Sequence, residues 1–324
     1  MTNSNPLQLF ISYSHCDEDN YIKYFEKHIT PLRDNGLIEN WYNRKILPDK
    51  DYQDKIDNKL EDADIICLFI SHNFLTSSAC KDEIKNSLEL QRKKGIIVIP
   101  IILSSCGWKD YKDISLLLAF PKDGIPIEKW KSKNDAWLNV YEGLKRIIEQ
   151  KNIIKEHVKG KVIVFIDAAN LESSLKDLGW HMDYKRFHNY FKNNMDLVRI
   201  RFYSANFNNK THTNFLIVLR RAGFKLVTKK LKTIFIGEDC INKANFDVEI
   251  TLDARNFMDK YDTLVLFSGD SDFEYLIKFL RMRNKKAIVI SSRYHISKEL
   301  IKCCNKYIDL KILKTIFQRI NYTK

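Results

Sequence analysis

Two aspartates separated by a single serine, Asp270 and Asp272, carry the plainest chemistry in the chain. Carboxylates this close repel unless a shared proton or a cation relieves them, and Mg2+ or Mn2+, which prefer oxygen ligands, are the economical cations. The pair stands in the turn Ser268-Gly-Asp-Ser-Asp-Phe273. Before it, Leu264 to Phe267 reads as a buried parallel strand; after it, Tyr275 to Leu280 carries apolar residues at helical spacing. Open α/β sheets bind ligands outside the carboxyl ends of their strands, which is where this turn falls. The stretch Lys161-Val-Ile-Val-Phe-Ile-Asp-Ala-Ala-Asn170 repeats the arrangement, with Asp167 delivered at the end of a strand. Asp247 falls in the first turn of a helix read from about residue 243 to Lys260, a place where any helix favours an acid. Asp253, six residues on and about 240° around a regular helix, should not share an ion with Asp247 and reads as structural.

The elements that must position these acids alternate strand and helix throughout, which predicts an α/β protein of two doubly wound parallel sheets. In the first half, strands are expected at 7–13, in a short piece after Gly36, at 64–71 and at 96–103. Helices are expected at 19–35, 51–62 and 78–94, the last capped by Ser78 and stopped by Gly95, with a closing helix at 136–157. The polar segment Lys155 to Gly160 then divides a domain 1–155 from a domain 156–324 that ends in a short basic tail. In the second half, strands are expected at 196–205 and 224–227 and a helix at 211–222.

Composition narrows the field. An apolar fraction of 44% with 12% aromatics argues against disorder, and no apolar run approaches the roughly 18 residues that cross a bilayer. Seven cysteines without a Cys-x-x-Cys pair read as reduced thiols of a cytoplasmic protein. The net charge of +13 is unevenly placed: cut at Val158, the first part holds 23 Lys+Arg against 24 Asp+Glu, and the second 31 against 17. A basic excess confined to one domain suggests contact with nucleic acid or an anionic membrane by that domain alone, nucleic acid being favoured, and no membrane partner is expected.

The first half resembles a bacterial TIR domain over residues 6–150, through Phe10-Ile-Ser-Tyr-Ser-His-Cys-Asp-Glu-Asp19, Trp41-Tyr-Asn-Arg44, Ile65 to Ser71, Ser77-Ser-Ala-Cys-Lys-Asp-Glu83 and Ile99-Pro-Ile-Ile-Leu103. The resemblance implies a flavodoxin-like fold, cleavage of NAD+ with Glu83 as the essential carboxylate, a nucleotide cleft lined by Tyr13, Ser14, Trp41 and Arg44, and homo-oligomers formed through this domain. A carboxylate beside the ribose would stabilise the oxocarbenium-like cation that forms when the N-glycosidic bond breaks. The chain departs from the family at Asn43, Asp49 and Tyr52, all in the loop flanking the cleft.

The second half resembles a NYN domain, a branch of the PIN-like nucleases, over residues 160–311. The resemblance rests on Phe165-Ile-Asp-Ala-Ala-Asn-Leu171, Lys243 through Asp253, Ser268-Gly-Asp-Ser-Asp-Phe273 and Ser297 to Leu310. It implies that Asp167, Asp247, Asp270 and Asp272 bind one or two Mg2+ or Mn2+ ions and cut RNA, with Asn170 orienting the cluster and Ser268 supporting it. A metal so held activates a water for attack on phosphorus and neutralises the leaving oxygen. Because the acids repel phosphates, basic residues must hold the substrate; the candidates are Arg220, Arg221, Lys229, Lys230, Lys243, Arg281 and Arg283. Ala244 and Asn305 depart from the family pattern without removing a proposed ligand.

Other chemistries fit less well. Gly269-Asp-Ser-Asp-Phe273 lacks the second glycine of a nucleophile elbow, Ala169 stands where a haloacid-dehalogenase-like phosphatase needs its second acid, eight histidines form no His-x-x-x-His pair, and ten glycines include no Gly-x-Gly-x-x-Gly. Three readings stay open: an NAD glycohydrolase joined to a metal-dependent RNase in antiviral defence or toxicity, a TIR assembly module clustering a nuclease, or a nucleic-acid sensor controlling a TIR NADase.

Overall fold

The computed structural model describes residues 6–42, 58–207, 209–230, 232–236, 239–243 and 245–320; for 41, 42, 232–236 and 239–243 it describes the backbone alone. The chain forms two compact units, Met1–Gln150 with Ile320–Lys324, and Lys151–Arg319.

In the first unit β1 (Leu7–Ser12), β2 (Ile38–Tyr42), β3 (Ile65–Ile70) and β4 (Ile97–Ile102) form a parallel sheet in the order β2-β1-β3-β4. β1, β3 and β4 are largely apolar runs buried on both faces, as helix-covered parallel strands must be, whereas β2 is the edge strand and exposes Glu39. Helix α1 (Lys23–Asp34) starts later than the 19–35 expected, because residues 15–22 wind as a 3-10 turn and a π turn. Next come α2 (His72–Thr76) and α3 (Ser78–Lys94). The cap of α3 is Ser77, whose Oγ accepts the amide of Cys80 at 3.4 Å, and not Ser78. Short α4 (Lys112–Ser115) and α5 (Lys133–Asn152) follow; the helix expected at 51–62 is described only from residue 58.

The second unit holds six parallel strands in the order β12-β11-β10-β5-β6-β7. They are β5 (Val162–Asp167), β6 (Leu197–Asn206), β7 (Lys225–Lys230), β10 (Thr263–Phe267), β11 (Lys286–Ser291) and β12 (Lys306–Asp309). The helices are α6 (Ala168–Leu178), α7 (Tyr184–Asn194), α8 (Lys210–Arg221), α9 (Asp247–Asn256), α10 (Glu274–Met282), α11 (Lys298–Cys303) and α12 (Lys314–Phe317). Alternate strand residues serve opposite faces. Ile163, Phe165, Leu264 and Leu266 pack with Phe246, Ile250 and Ala254 around α9 and with Leu276, Ile277 and Leu280 of α10. Phe267 meets Phe187 and Phe191 of α7 on the other face, and Phe317 stacks there too.

One expectation fails. Lys243 does not begin the helix expected from there to Lys260: β8 (Lys232–Ile236) and β9 (Asp239–Lys243) pair as an antiparallel hairpin, and α9 spans only Asp247–Asn256. The β-branched and aromatic run Thr233-Ile-Phe-Ile236 and the Gly237-Glu238 pair after it were the sequence signals for it.

Candidate active sites

The order of the second sheet places its topological switch between β5 and β10: the chain fills one side through β6 and β7, then the other through β11 and β12. The crevice at such a switch is where a doubly wound sheet binds ligands. Asp167 is the last residue of β5 and caps α6, its Oδ1 accepting the amide of Asn170 at 3.4 Å. The Ser268-to-Asp272 turn leaves β10 beside it. Asn170 ties the two together, its Oδ1 accepting the amide of Gly269 at 2.8 Å.

Ser268 joins the acids. Its hydroxyl donates to Asp167 Oδ2 at 3.2 Å and accepts the amide of Asp270 at 3.3 Å. Asp270 in turn caps the turn, its Oδ1 accepting the amide of Asp272 at 3.1 Å. The turn is tightly held: a side-chain carbon at Gly269 would lie 2.2 Å from the carbonyl oxygen of His295, so only glycine fits there. From across the face, α9 brings Asp247, and one carboxylate oxygen from each of Asp247, Asp270 and Asp272 lies within 4.8 Å of the others. Asp167 stands outside that trio, one serine hydroxyl away. Burial, and then the charge of Asp247, pushes its pKa above the ordinary aspartate value.

An oxygen-only donor set fits a hard divalent ion. In an octahedron with ligands at about 2.1 Å, adjacent oxygens lie about 3 Å apart and opposite ones about 4.2 Å apart, so the trio needs only small rotations to share one ion. Asp253 takes no part: it accepts the Tyr203 hydroxyl at 2.9 Å and pairs with Arg201 at 3.0 Å, fixing α9 to the sheet.

The basic residues expected to hold substrate are dispersed. Lys229 pairs with Glu249 at 2.5 Å and donates to the carbonyl of Asn245 at 3.0 Å, so it anchors the start of α9. Arg281 donates to the carbonyl of Cys303 at 2.7 Å, and Arg283 lies over the Phe279 ring at 4.9 Å. Lys230 is exposed. Arg221 lines a large cleft beside α6, and Arg220 a smaller pocket with Arg199 and Arg201, two arginines the sequence reading did not single out. The side chain of Lys243 lies outside the described residues.

In the first unit the switch falls between β1 and β3. Glu83 lies there on the inward face of α3 with Cys80, Ile84 and Ser87, only 6% exposed, and accepts a hydrogen bond from the Ser12 hydroxyl at the end of β1. It is therefore not a solvated helix acid. Tyr13 and Ser14 are buried in the loop after β1, and the Cys80 thiol contacts the carbonyl of Tyr13 at 3.9 Å. Asp17, which sequence reasoning passed over, is 3% exposed and accepts hydrogen bonds from Ser71 Oγ and, at 2.9 Å, from Asn73 Nδ2. Arg44 and the side chain of Trp41 lie outside the described residues. The cysteines 16, 67, 80, 106, 303 and 304 are free thiols, and no helix among the described residues is long and apolar enough to cross a membrane.

Comparison with known proteins agrees with this division. Residues 161–312 match the family model of the NYN domain, and residues 9–133 that of the TIR domain. The chain is 32% identical over 164 residues to the low amplitude and bright protein LabA of Synechococcus elongatus, covering 49% of this chain and 88% of that protein. It is 36% identical over 138 residues to the uncharacterized protein y4lF of Sinorhizobium fredii, covering 42% of each. The crystal structure of a protein of unknown function from Vibrio parahaemolyticus aligns with a TM-score of 0.43 and 26% identity, over 50% of this chain and 98% of that one. With an acid-bearing parallel sheet at 161–312 and a separate parallel sheet carrying a buried glutamate at 9–133, the chain belongs to the NYN domain family and joins that domain to a TIR domain.

Proposed function

We propose that the chain is a two-enzyme effector: a Mg2+- or Mn2+-dependent endoribonuclease in its NYN domain and an NAD+ glycohydrolase in its TIR domain. The observation that carries the first half is the meeting, at the β5/β10 switch, of carboxylates from segments far apart in sequence. Asp247, Asp270 and Asp272 would hold the ion, with Asp167 completing the set from the strand side. Bound there, a divalent cation supplies a nucleophilic water and charge neutralisation at the leaving oxygen. The chain's own residues do the positioning. Ser268 sets the spacing of Asp167 and Asp270 through its two hydrogen bonds, and Asn170 holds the turn against β5. Because burial raises the pKa of Asp167, a cation bound beside it would favour its ionised form and oppose that shift.

For the TIR domain, support comes from a glutamate buried at the switch point and held by Ser12, a placement suited to a ribose-side carboxylate. In this reading Tyr13, Ser14, Trp41 and Arg44 line the NAD+ cleft, and the domain assembles into homo-oligomers in the cytoplasm, in antiviral defence or as a toxin. The test is to assay the whole chain for RNA cleavage with and without Mn2+ and for NAD+ consumption. The variants are Asp270→Asn with Asp272→Asn, and separately Glu83→Gln. Each activity should vanish with its own variant. If NAD+ is not consumed under any condition while RNA is still cut, the TIR domain is an assembly module instead.

A further inference from the structure

A cleft of about 1530 Å³ opens between the outer end of α6, the turn after it, α7 and α8. It exceeds the 300–1,000 Å³ usual for small-molecule sites, so a longer ligand fits it better. The cleft begins at Glu172 and reaches Gly179. At 1.5 Å per helical residue it therefore runs alongside α6 from roughly 7 Å to roughly 18 Å beyond Asp167, away from the acid trio.

Its chemistry is two-layered. The rim carries Lys176, Lys185, Lys192, Arg221 and Arg319, and none of these five forms an ion pair among the described residues. Two acids, Glu172 and Asp183, share the lining with these five cations, and Asp183 accepts the amides of Lys185 and Arg186, each at 3.0 Å. The floor is apolar and aromatic, with Trp180 and Met182 buried and Tyr184 set edge-on to Phe215 at 5.3 Å. Within the cleft, burial and the nearby Lys192 depress the pKa of His188, which favours the uncharged imidazole. Gly223 gives that ring its room: its φ is +103°, and a side-chain carbon there would lie 2.4 Å from His188 Nε2.

We infer that this cleft is the track for the single-stranded flank of an RNA substrate. The inference rests on the nuclease reading and adds to it the strandedness of the substrate and the residues that select it. A recessed aromatic floor under a cationic rim suits unpaired bases, which present π-faces while their phosphates meet lysine and arginine. An A-form duplex offers phosphates and 2′-hydroxyls but no free base faces for the floor.

The test uses the full chain in EDTA, so that nothing is cut, with a fluorescein-labelled 12-nucleotide RNA alone or annealed to its complement, read by anisotropy. The double variant Lys185→Glu with Arg221→Glu, both exposed, should bind the single strand at least 10-fold more weakly and lower the slope of log K against log salt by about 2. Lys192→Glu repeats the test from the middle of the rim. Lys302→Glu with Lys311→Glu, the same charge change on exposed residues outside the cleft, should cost less than 3-fold. Equal losses from the cleft and control pairs, or wild-type binding of duplex as tight as single strand, would overturn the track. A parallel Mn2+ cleavage assay of the wild-type chain separates the two ideas. If RNA is cut but cleft variants bind normally, the track alone is wrong; if RNA is not cut, the nuclease reading falls and takes the track with it.

Discussion

Asp270→Asn gives the sharpest test of the carboxylate trio, because asparagine keeps the side-chain oxygen that caps the turn at the Asp272 amide while removing the charge. In metal-free solution Asp270 faces both Asp247 and Asp272 within 4.8 Å. Asp272 is exposed, so a water-like dielectric applies, and each repulsion costs about 1 kcal/mol. Removing two of them should stabilise the metal-free NYN domain by about 1–2 kcal/mol, a rise in melting temperature of roughly 2–8 °C for a domain of this size. Metal should reverse the ranking. At 100 times its Kd a bound ion stabilises the native protein by about 2.7 kcal/mol, a gain open to wild type and largely denied to the variant. The assay is differential scanning fluorimetry of both proteins in EDTA and across a Mn2+ titration, far-UV circular dichroism confirming the fold. A variant that melts lower than wild type in EDTA, or that keeps the full Mn2+ shift, would refute the shared-ion arrangement.

Other outcomes follow from the same structure. The raised pKa of Asp167 means its ionised form is disfavoured on folding, so its contribution to stability is greatest below the unfolded value near 4 and is lost as pH rises through the folded value. Asp167→Asn should therefore stabilise the metal-free protein at pH 7 and not at pH 3.5, and calorimetric Mn2+ titrations of wild type should show tighter binding at pH 7 than at pH 5. Glu83→Gln keeps an oxygen to accept the Ser12 hydroxyl, so thermal melting should stay within about 2 °C of wild type while NAD+ turnover falls by about 100-fold or more. Gly269→Ala forces a carbon against the His295 carbonyl and should cost about 1–3 kcal/mol in urea unfolding, with RNA cleavage lost as Asp270 shifts.

Much of this site is legible before folding. Asp270 and Asp272 are two residues apart, and Asp167 must end a strand because Val162 to Ile166 is an unbroken apolar run. Asp247 is different. Any helix start favours an acid, and its place in the trio depends on Phe246, Ile250 and Ala254 sinking α9 into the core against Phe165 and Tyr203. Glu83 likewise has the local sequence of a surface helix acid. Its burial comes from the inward face it shares with Cys80, Ile84 and Ser87.

What the chain determined by itself is local: parallel strands buried on both faces, helices between them, and acids at strand ends, because periodicity and apolar runs act over a few residues. What only the tertiary structure decided is which charges are free and which are used. Lys229, plausible at the site by sequence, is consumed by Glu249, whereas among the described residues Lys185 and Arg221 form no ion pair along a cleft that no stretch of sequence contains. Pairing across such distances is the sum of many weak packing contacts, and no window of residues encodes it.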